Sequence, residues 1–133
     1  METITVTTSA REQAVDITTK VQEVVTRSGL ASGAAVACVA HTTAAITINE
    51  NADPDVMSDI VSALARLLPR SGSWAHSEGN SDAHVKSAIT GQSVIIPIEG
   101  GRLQLGTWQG VYFCEFDGPR QRRVMVQLLP THC

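Results

Sequence analysis

The chain has 133 residues, 43% of them hydrophobic and 17% charged, the balance of a packed globular domain rather than a disordered tract. That length buries a sizeable core without disulfide or metal staples, so residues 1–133 read as one domain. A formal net charge of −3 offers no bulk attraction to nucleic acid or to an anionic membrane, and neither is expected as a partner.

The first residues, ETITVTT, alternate and are rich in β-branched side chains, which predicts a strand. Thr19 with Gln22 three residues on has the form of a capping box. Val21, Val24 and Val25 share one helical face and Gly29 supplies a stop, so a helix is predicted over 19–28. The small apolar run 33–40 and AAITIN over 44–49 predict two buried strands, with His41-Thr42-Thr43 a turn or a bulge between them. Asp53-Pro54 reads as an N-cap followed by proline at the first helical position. Val56, Ile60, Val61, Leu64, Leu67 and Leu68 then keep amphipathic spacing until Pro69 closes the helix.

From 69 to 81 no period survives and Gly, Ser and Asn dominate, which predicts a long loop of the kind that often carries function. Residues 81–88 predict about two helical turns capped by Ser81. SVIIPI, a Gly100-Gly101 hairpin turn, RLQLG, WQGVYFCEFD, the turn GPRQ and RVMVQLL complete a run of antiparallel strands. The fold class expected is α+β, a mainly antiparallel sheet with two main helices and one short helix. Neither GxGxxG nor a P-loop occurs, which disfavours the nucleotide-binding folds that use them.

Cys38, Cys114 and Cys133 lack any CxxC-type spacing, so neither a disulfide framework nor a zinc finger is indicated. With no export signal legible and no apolar run near the ~18 residues of a membrane span, a reduced, cytoplasmic setting is expected.

Three constellations could carry chemistry. His41, His76 and His84 come from separate segments, a pattern that can supply metal ligands with an open position but reads first as hydrogen-bonded structural histidines. Within NENADPD, Asp53 and Asp55 suit a helix start, whereas Glu50 and Asn49 precede the cap and could face a cleft. In EGGRLQLGTWQG, Gly106 and Gly110 read as bulges or close backbone approaches. The backbone near Thr107, with Arg102 or Lys86, could instead cradle a phosphate. Trp108 reads as a core residue or as a stacking platform. Arg120, Arg122 and Arg123 form a local basic cluster, readable as a solvated strand edge or as an anion site.

HTTAAITINENADPDV, WAHSEGNSDAHVKSAITGQSVIIPI and GRLQLGTWQGVYFCEFDGPR, in that order, resemble the YjbQ-like family, also described as secondary thiamine-phosphate synthases. The likeness spans almost the whole chain. It implies a single YjbQ-like domain that assembles as a homotrimer, with a polar pocket built from these motifs near the subunit boundary. It also implies a divalent metal, zinc or magnesium, with His41, His76 and His84 as the matching histidines. Glu50, Glu78 and His84 are then expected in acid–base roles, and Asn49, Lys86, Arg102, Thr107, Trp108 and Arg120 against a small phosphorylated substrate.

The activity this resemblance implies joins a hydroxymethylpyrimidine diphosphate to a thiazole phosphate and expels diphosphate, whose charge the site must neutralise. The chain is too short for the β/α barrel of the usual thiamine phosphate synthase. Two further readings use the same residues: a metal-dependent hydrolase, and a non-catalytic module that binds an anion or metabolite without turnover.

Overall fold

The computed structural model describes residues 1–132; Cys133 lies outside them. The elements in chain order are β1 (Glu2–Thr7), β2 (Gln13–Asp16), α1 (Thr18–Ser28), β3 (Ser32–Val39), β4 (Ala44–Glu50), α2 (Pro54–Leu67), α3 (Ser81–Thr90), β5 (Ser93–Glu99), β6 (Arg102–Leu103), β7 (Gln109–Glu115) and β8 (Gln121–Pro130). Strands β1-β8-β3-β5-β6 form one sheet and β2-β7-β4 a second. Every pairing is antiparallel. The fold is α+β, as the sequence predicts.

Alternation explains the layering. Ile4 and Val6 of β1, Ala37 and Val39 of β3, Ile96 of β5, and Val124 and Val126 of β8 point inward. They meet Ala44 and Ile46 of β4 and Val111 and Phe113 of β7, while Val21 and Val24 of α1 close the same core. On the far side of the smaller sheet, Ala45, Tyr112 and Cys114 pack with Phe116 against Met57 of α2 and Ala83 of α3. The order is therefore large sheet, small sheet, then α2 and α3. Among the described residues no helix covers the outer face of the large sheet, where Ile95 and Leu129 are exposed beside half-buried Val36, Cys38 and Met125.

Several local expectations shift for identifiable reasons. α2 begins as read, with the Asp53 side chain accepting from the Asp55 N–H and Pro54 in the first turn. α1 begins at Thr18, and Asp16 rather than Thr19 serves its start by accepting from the Thr18 N–H and hydroxyl. Gln22 is drawn into tertiary bonds, donating to the Gly101 carbonyl and accepting from the Leu103 N–H. Ser81 is not the cap of α3; Asn80 holds that position, and the Ser81 hydroxyl donates to the His76 carbonyl. The short strand β2 was not expected; four residues show no readable alternation, and only pairing with β7 defines it. The RLQLG strand shortens to Arg102–Leu103.

The two sheets are clamped at one end by a buried ion pair. Arg122 of β8 and Glu115 of β7 are 2% and 0% exposed. The Arg122 guanidinium donates to both Glu115 oxygens and to the Thr43 hydroxyl, and the Thr8 hydroxyl adds a third bond to Glu115. Burial alone would raise the Glu115 carboxyl. Bonds from Arg122, the Asp117 N–H and Thr8 outweigh it and hold the group below its ordinary value of 4.5.

Removing Arg122 strands that carboxylate, so R122L is expected to cost about 3–5 kcal/mol in urea unfolding, with R122L/E115Q recovering part of the loss. Because the folded value is depressed, the stabilisation is complete above about pH 4.5 and falls as pH drops through the folded value. Unfolding curves from pH 7 to pH 3 should therefore show a steeper acid loss in the parent than in the double variant.

Candidate functional site

A polar cavity opens directly over that clamp. It has a volume of about 590 Å³, and its wall includes His41, Thr43, Arg70, Glu78, Asn80, His84, Asp117, Arg120 and Arg122. Three chain segments converge there. The β3–β4 connection brings His41 and Thr43, the loop before α3 and its first turns bring Glu78, Asn80 and His84, and the β7–β8 turn brings Asp117 and Arg120.

Each wall is held by hydrogen bonds. Asn80 donates to Asp117 at 2.9 Å, and Arg120 donates to the same carboxylate oxygen at 3.2 Å. Arg120 also donates to the Asp117 carbonyl, and its own N–H donates to Thr8. Arg70 donates to the Gly79 carbonyl and so restrains the loop that carries Glu78. The His76 and His84 rings meet edge to face, 5.4 Å between centroids, and His76 Nε2 lies 3.0 Å from Asn80 Oδ1.

A second buried cluster fixes α3 itself. Asp82 is fully buried and accepts both guanidinium nitrogens of Arg11, at 3.1 and 3.2 Å, and the Lys86 ammonium at 2.7 Å. Lys86, 1% exposed, also donates to Glu12 at 3.0 Å. Burial would raise the Asp82 carboxyl, yet Arg11 and Lys86 together hold it below its ordinary value. The cluster ties the segment ahead of β2 to the helix whose next residue on from Ala83 is His84.

Not every expected residue reaches the cleft. His41, Glu78, His84 and Arg120 line it. His76 touches the His84 ring but is exposed and not in the cavity wall. Lys86 is consumed by two carboxylates rather than left free for a phosphate. Arg102 lies on a separate groove beside α1. Asn49, Glu50, Thr107 and Trp108 sit at the opposite end of β4 and β7, where Glu50 pairs with Gln109 while Ala44 pairs with Glu115. Trp108 is 64% exposed and so is not a core residue. Gly110 is a close approach as read: a Cβ there would lie 2.6 Å from Asn51 Nδ2.

Sequence reading missed Arg70, Asn80, Glu115 and Asp117 as parts of the site, and saw Arg122 only as one member of a basic cluster. The arginine run near the C-terminus was the available signal, since alternation along β8 turns Arg122 inward and Arg123 outward.

His41 and His84 line the cavity, whereas His76 is not in its wall. Among the described residues, no group of three or more His, Cys, Asp or Glu is placed to hold a metal ion. His41 Nε2 already accepts the Arg123 N–H at 2.8 Å, and guanidinium groups of Arg70, Arg120 and Arg122 line the same cavity. Those placements do not bring His41, His76 and His84 together as a ligand set, and the arginines beside His41 favour an anion in that part of the cavity.

His41 is held neutral by burial first and by the nearby charges of Arg122 and Arg123 second, which lower it from 6.5. With Nε2 an acceptor, its proton belongs on Nδ1. Nitrogen-correlated NMR spectra are expected to show that tautomer at neutral pH and a titration midpoint below 6.5. A midpoint above it would contradict the cationic surroundings.

Comparison with known proteins agrees with this architecture. The profile of the UPF0047 protein YjbQ-like family matches residues 2–131. A UPF0047 protein of Methanocaldococcus jannaschii is 50% identical over 122 residues, covering 92% of this chain and 88% of that protein. The UPF0047 protein YugU of Bacillus subtilis is 45% identical, covering 97% of this chain and 98% of its own. Among solved structures, an uncharacterized conserved protein of the YjbQ/UPF0047 family from Clostridium acetobutylicum superposes with a TM-score of 0.95 at 50% identity, covering 97% of this chain and 100% of that one. A YbjQ-like protein of unknown function from Sulfolobus solfataricus gives 0.93 at 35% identity, covering 98% and 96%. The matched residues, the identities and the shared fold together place this chain in the YjbQ-like UPF0047 family.

Proposed function

We propose that this chain is a small enzyme that binds a phosphorylated heterocycle in the polar cleft and transfers or releases its phosphorylated group by acid–base chemistry. The carrying observation is the cleft wall. Arg70, Arg120 and Arg122 with His41 and His84 face Glu78 and Asp117 across about 590 Å³, enough room for a diphosphate with part of its organic group. Arg120 and Arg70 supply charge-assisted bonds to phosphate oxygens. Arg122, spent on Glu115, fixes the floor rather than grasping the ligand.

His84 stands in the wall on a helix anchored by Asp82 and is the general acid of this reading, with Glu78 the carboxylate that accepts or orients a proton. Expulsion of diphosphate needs both functions, a cationic cradle for the leaving oxygens and a proton for them, so synthesis of thiamine phosphate is among the reactions the cleft suits. The uncovered apolar face of the large sheet supports self-association, and three chains is the assembly proposed.

Calorimetry with pyrophosphate as the probe is expected to show binding by the parent that weakens at least about tenfold in R120A. Absence of any heat of binding sinks the phosphate reading. Assayed with magnesium, pyrimidine diphosphate and thiazole phosphate, the parent should exceed H84A by roughly 10²–10⁴-fold, the usual value of one acid–base group. Equal product from both ends the transferase assignment, and product only in the absence of the thiazole partner points to hydrolysis. Light scattering should return three times the 14.1 kDa chain mass; a single chain mass removes the trimer.

A further inference from the structure

His76 is exposed and lies outside the cavity wall, yet it begins a run of hydrogen bonds that ends inside it. His76 Nε2 is 3.0 Å from Asn80 Oδ1, Asn80 Nδ2 donates to Asp117 Oδ2 at 2.9 Å, and the same oxygen accepts from Arg120 at 3.2 Å. Asn80, Asp117 and Arg120 all stand in the wall.

The polarity of this run follows from Asp117. A carboxylate paired with an arginine only accepts, so the Asn80 atom that faces it is the amide nitrogen, and the oxygen of the same amide faces His76. His76 therefore donates from Nε2, the reverse of His41, whose Nε2 accepts from Arg123.

Asn80 forgoes another bond to make these. It is the N-cap of α3, where an asparagine side chain ordinarily accepts from a backbone N–H two or three residues on, and here it makes no such bond. Its amide spans instead from the loop that carries His76 to the β7–β8 turn. The Ser81 hydroxyl, donating to the His76 carbonyl at 3.4 Å, holds that loop against the start of the same helix.

Arg120 shows what the diversion achieves. Its Nε donates to the Asp117 carbonyl and its Nη2 to Asp117 Oδ2, which leaves Nη1 without a partner among the described residues. While Asn80 shares Oδ2, Asp117 orients this guanidinium without taking all of it. With Asn80 turned back to cap α3, Asp117 would belong to Arg120 alone, and that fuller pair would compete with an incoming anion.

We infer that His76 is a positioning residue for anion binding: its Nε2–H holds Asn80 across to Asp117, and Asp117, so shared, presents Arg120 to a phosphate of the ligand. The role of Arg120 in this rests on the phosphate reading of the cleft. His76 itself touches neither the ligand nor the reacting atoms, which accounts for a histidine set beside the wall and not in it.

The first test needs no ligand. Long-range nitrogen–proton NMR spectra of the parent at mildly alkaline pH are expected to show His76 as the Nε2–H tautomer, and N80A to remove that preference. In calorimetry, H76A should bind pyrophosphate at least about threefold more weakly than the parent. H76Q, whose side-chain amide offers an N–H at similar reach, should restore most of the affinity. Combined with R120A, H76A should cause no further loss, because the run then lacks its end point. In the transferase assay H76A should raise KM for the pyrimidine diphosphate and leave kcat within about twofold.

An Nδ1–H tautomer at His76 overturns the inference. So does parental affinity in H76A, or a loss in H76A that persists undiminished beside R120A. A fall in kcat at constant KM would overturn it too, by making His76 an acid–base group in its own right. A parent that binds no pyrophosphate removes the phosphate reading instead, and an Nε2–H tautomer that depends on Asn80 would still establish the hydrogen-bonded run.

Discussion

The ion pair between Arg122 and Glu115 is the constraint on which the rest of the molecule depends. It joins β8 of the large sheet to β7 of the small one, and it bonds further to Thr8 and Thr43, one from the segment after β1 and one from the β3–β4 connection. Apolar packing between two sheets is tolerant of sliding, because hydrophobic contact has no direction. A guanidinium and a carboxylate joined by two hydrogen bonds do have direction, and they set the register of the two layers at the end where the cleft opens. The same four side chains hold up the cleft floor, so the fold and the site share one support.

The quartet of Arg11, Glu12, Asp82 and Lys86 plays the corresponding part for the wall. Its two cations and two anions balance, which allows Asp82 and Lys86 to be buried without a net charge in the interior. Through it α3 is tied to the segment before β2, and with α3 the positions of Asn80 and His84 are set. Lysine and aspartate four residues apart on a helix usually form a weak exposed pair. Here the pair lies beneath the helix, where desolvation makes partner loss costly.

Much of the architecture was legible in the chain. The strand of β1, the start of α2 at Asp53-Pro54 and the hairpin at Gly100-Gly101 each rest on local chemistry, so neighbours in sequence suffice to read them. What escaped depends on distant residues. β2 exists because β7 offers it a ladder, Gln22 left its capping role because Gly101 and Leu103 compete for it, and Trp108 lies outside because the turn carrying it projects beyond the sheet. The site divides the same way. His41, Glu78, His84 and Arg120 stood out as chemically able residues, whereas Glu115 and Arg122 become important only through burial, which no single position announces.

Lysine use illustrates how far this economy of charge goes. The sequence has lysine only at positions 20 and 86. Lys20 stands on the exposed face of α1, reaching the Thr5 carbonyl, while the Lys86 ammonium is sealed between two carboxylates at 1% exposure. Electrophiles that acylate amines meet a folded molecule with one reactive side chain, and α3 gains a chemically silent lysine whose reactivity appears only when the helix lifts from the sheet.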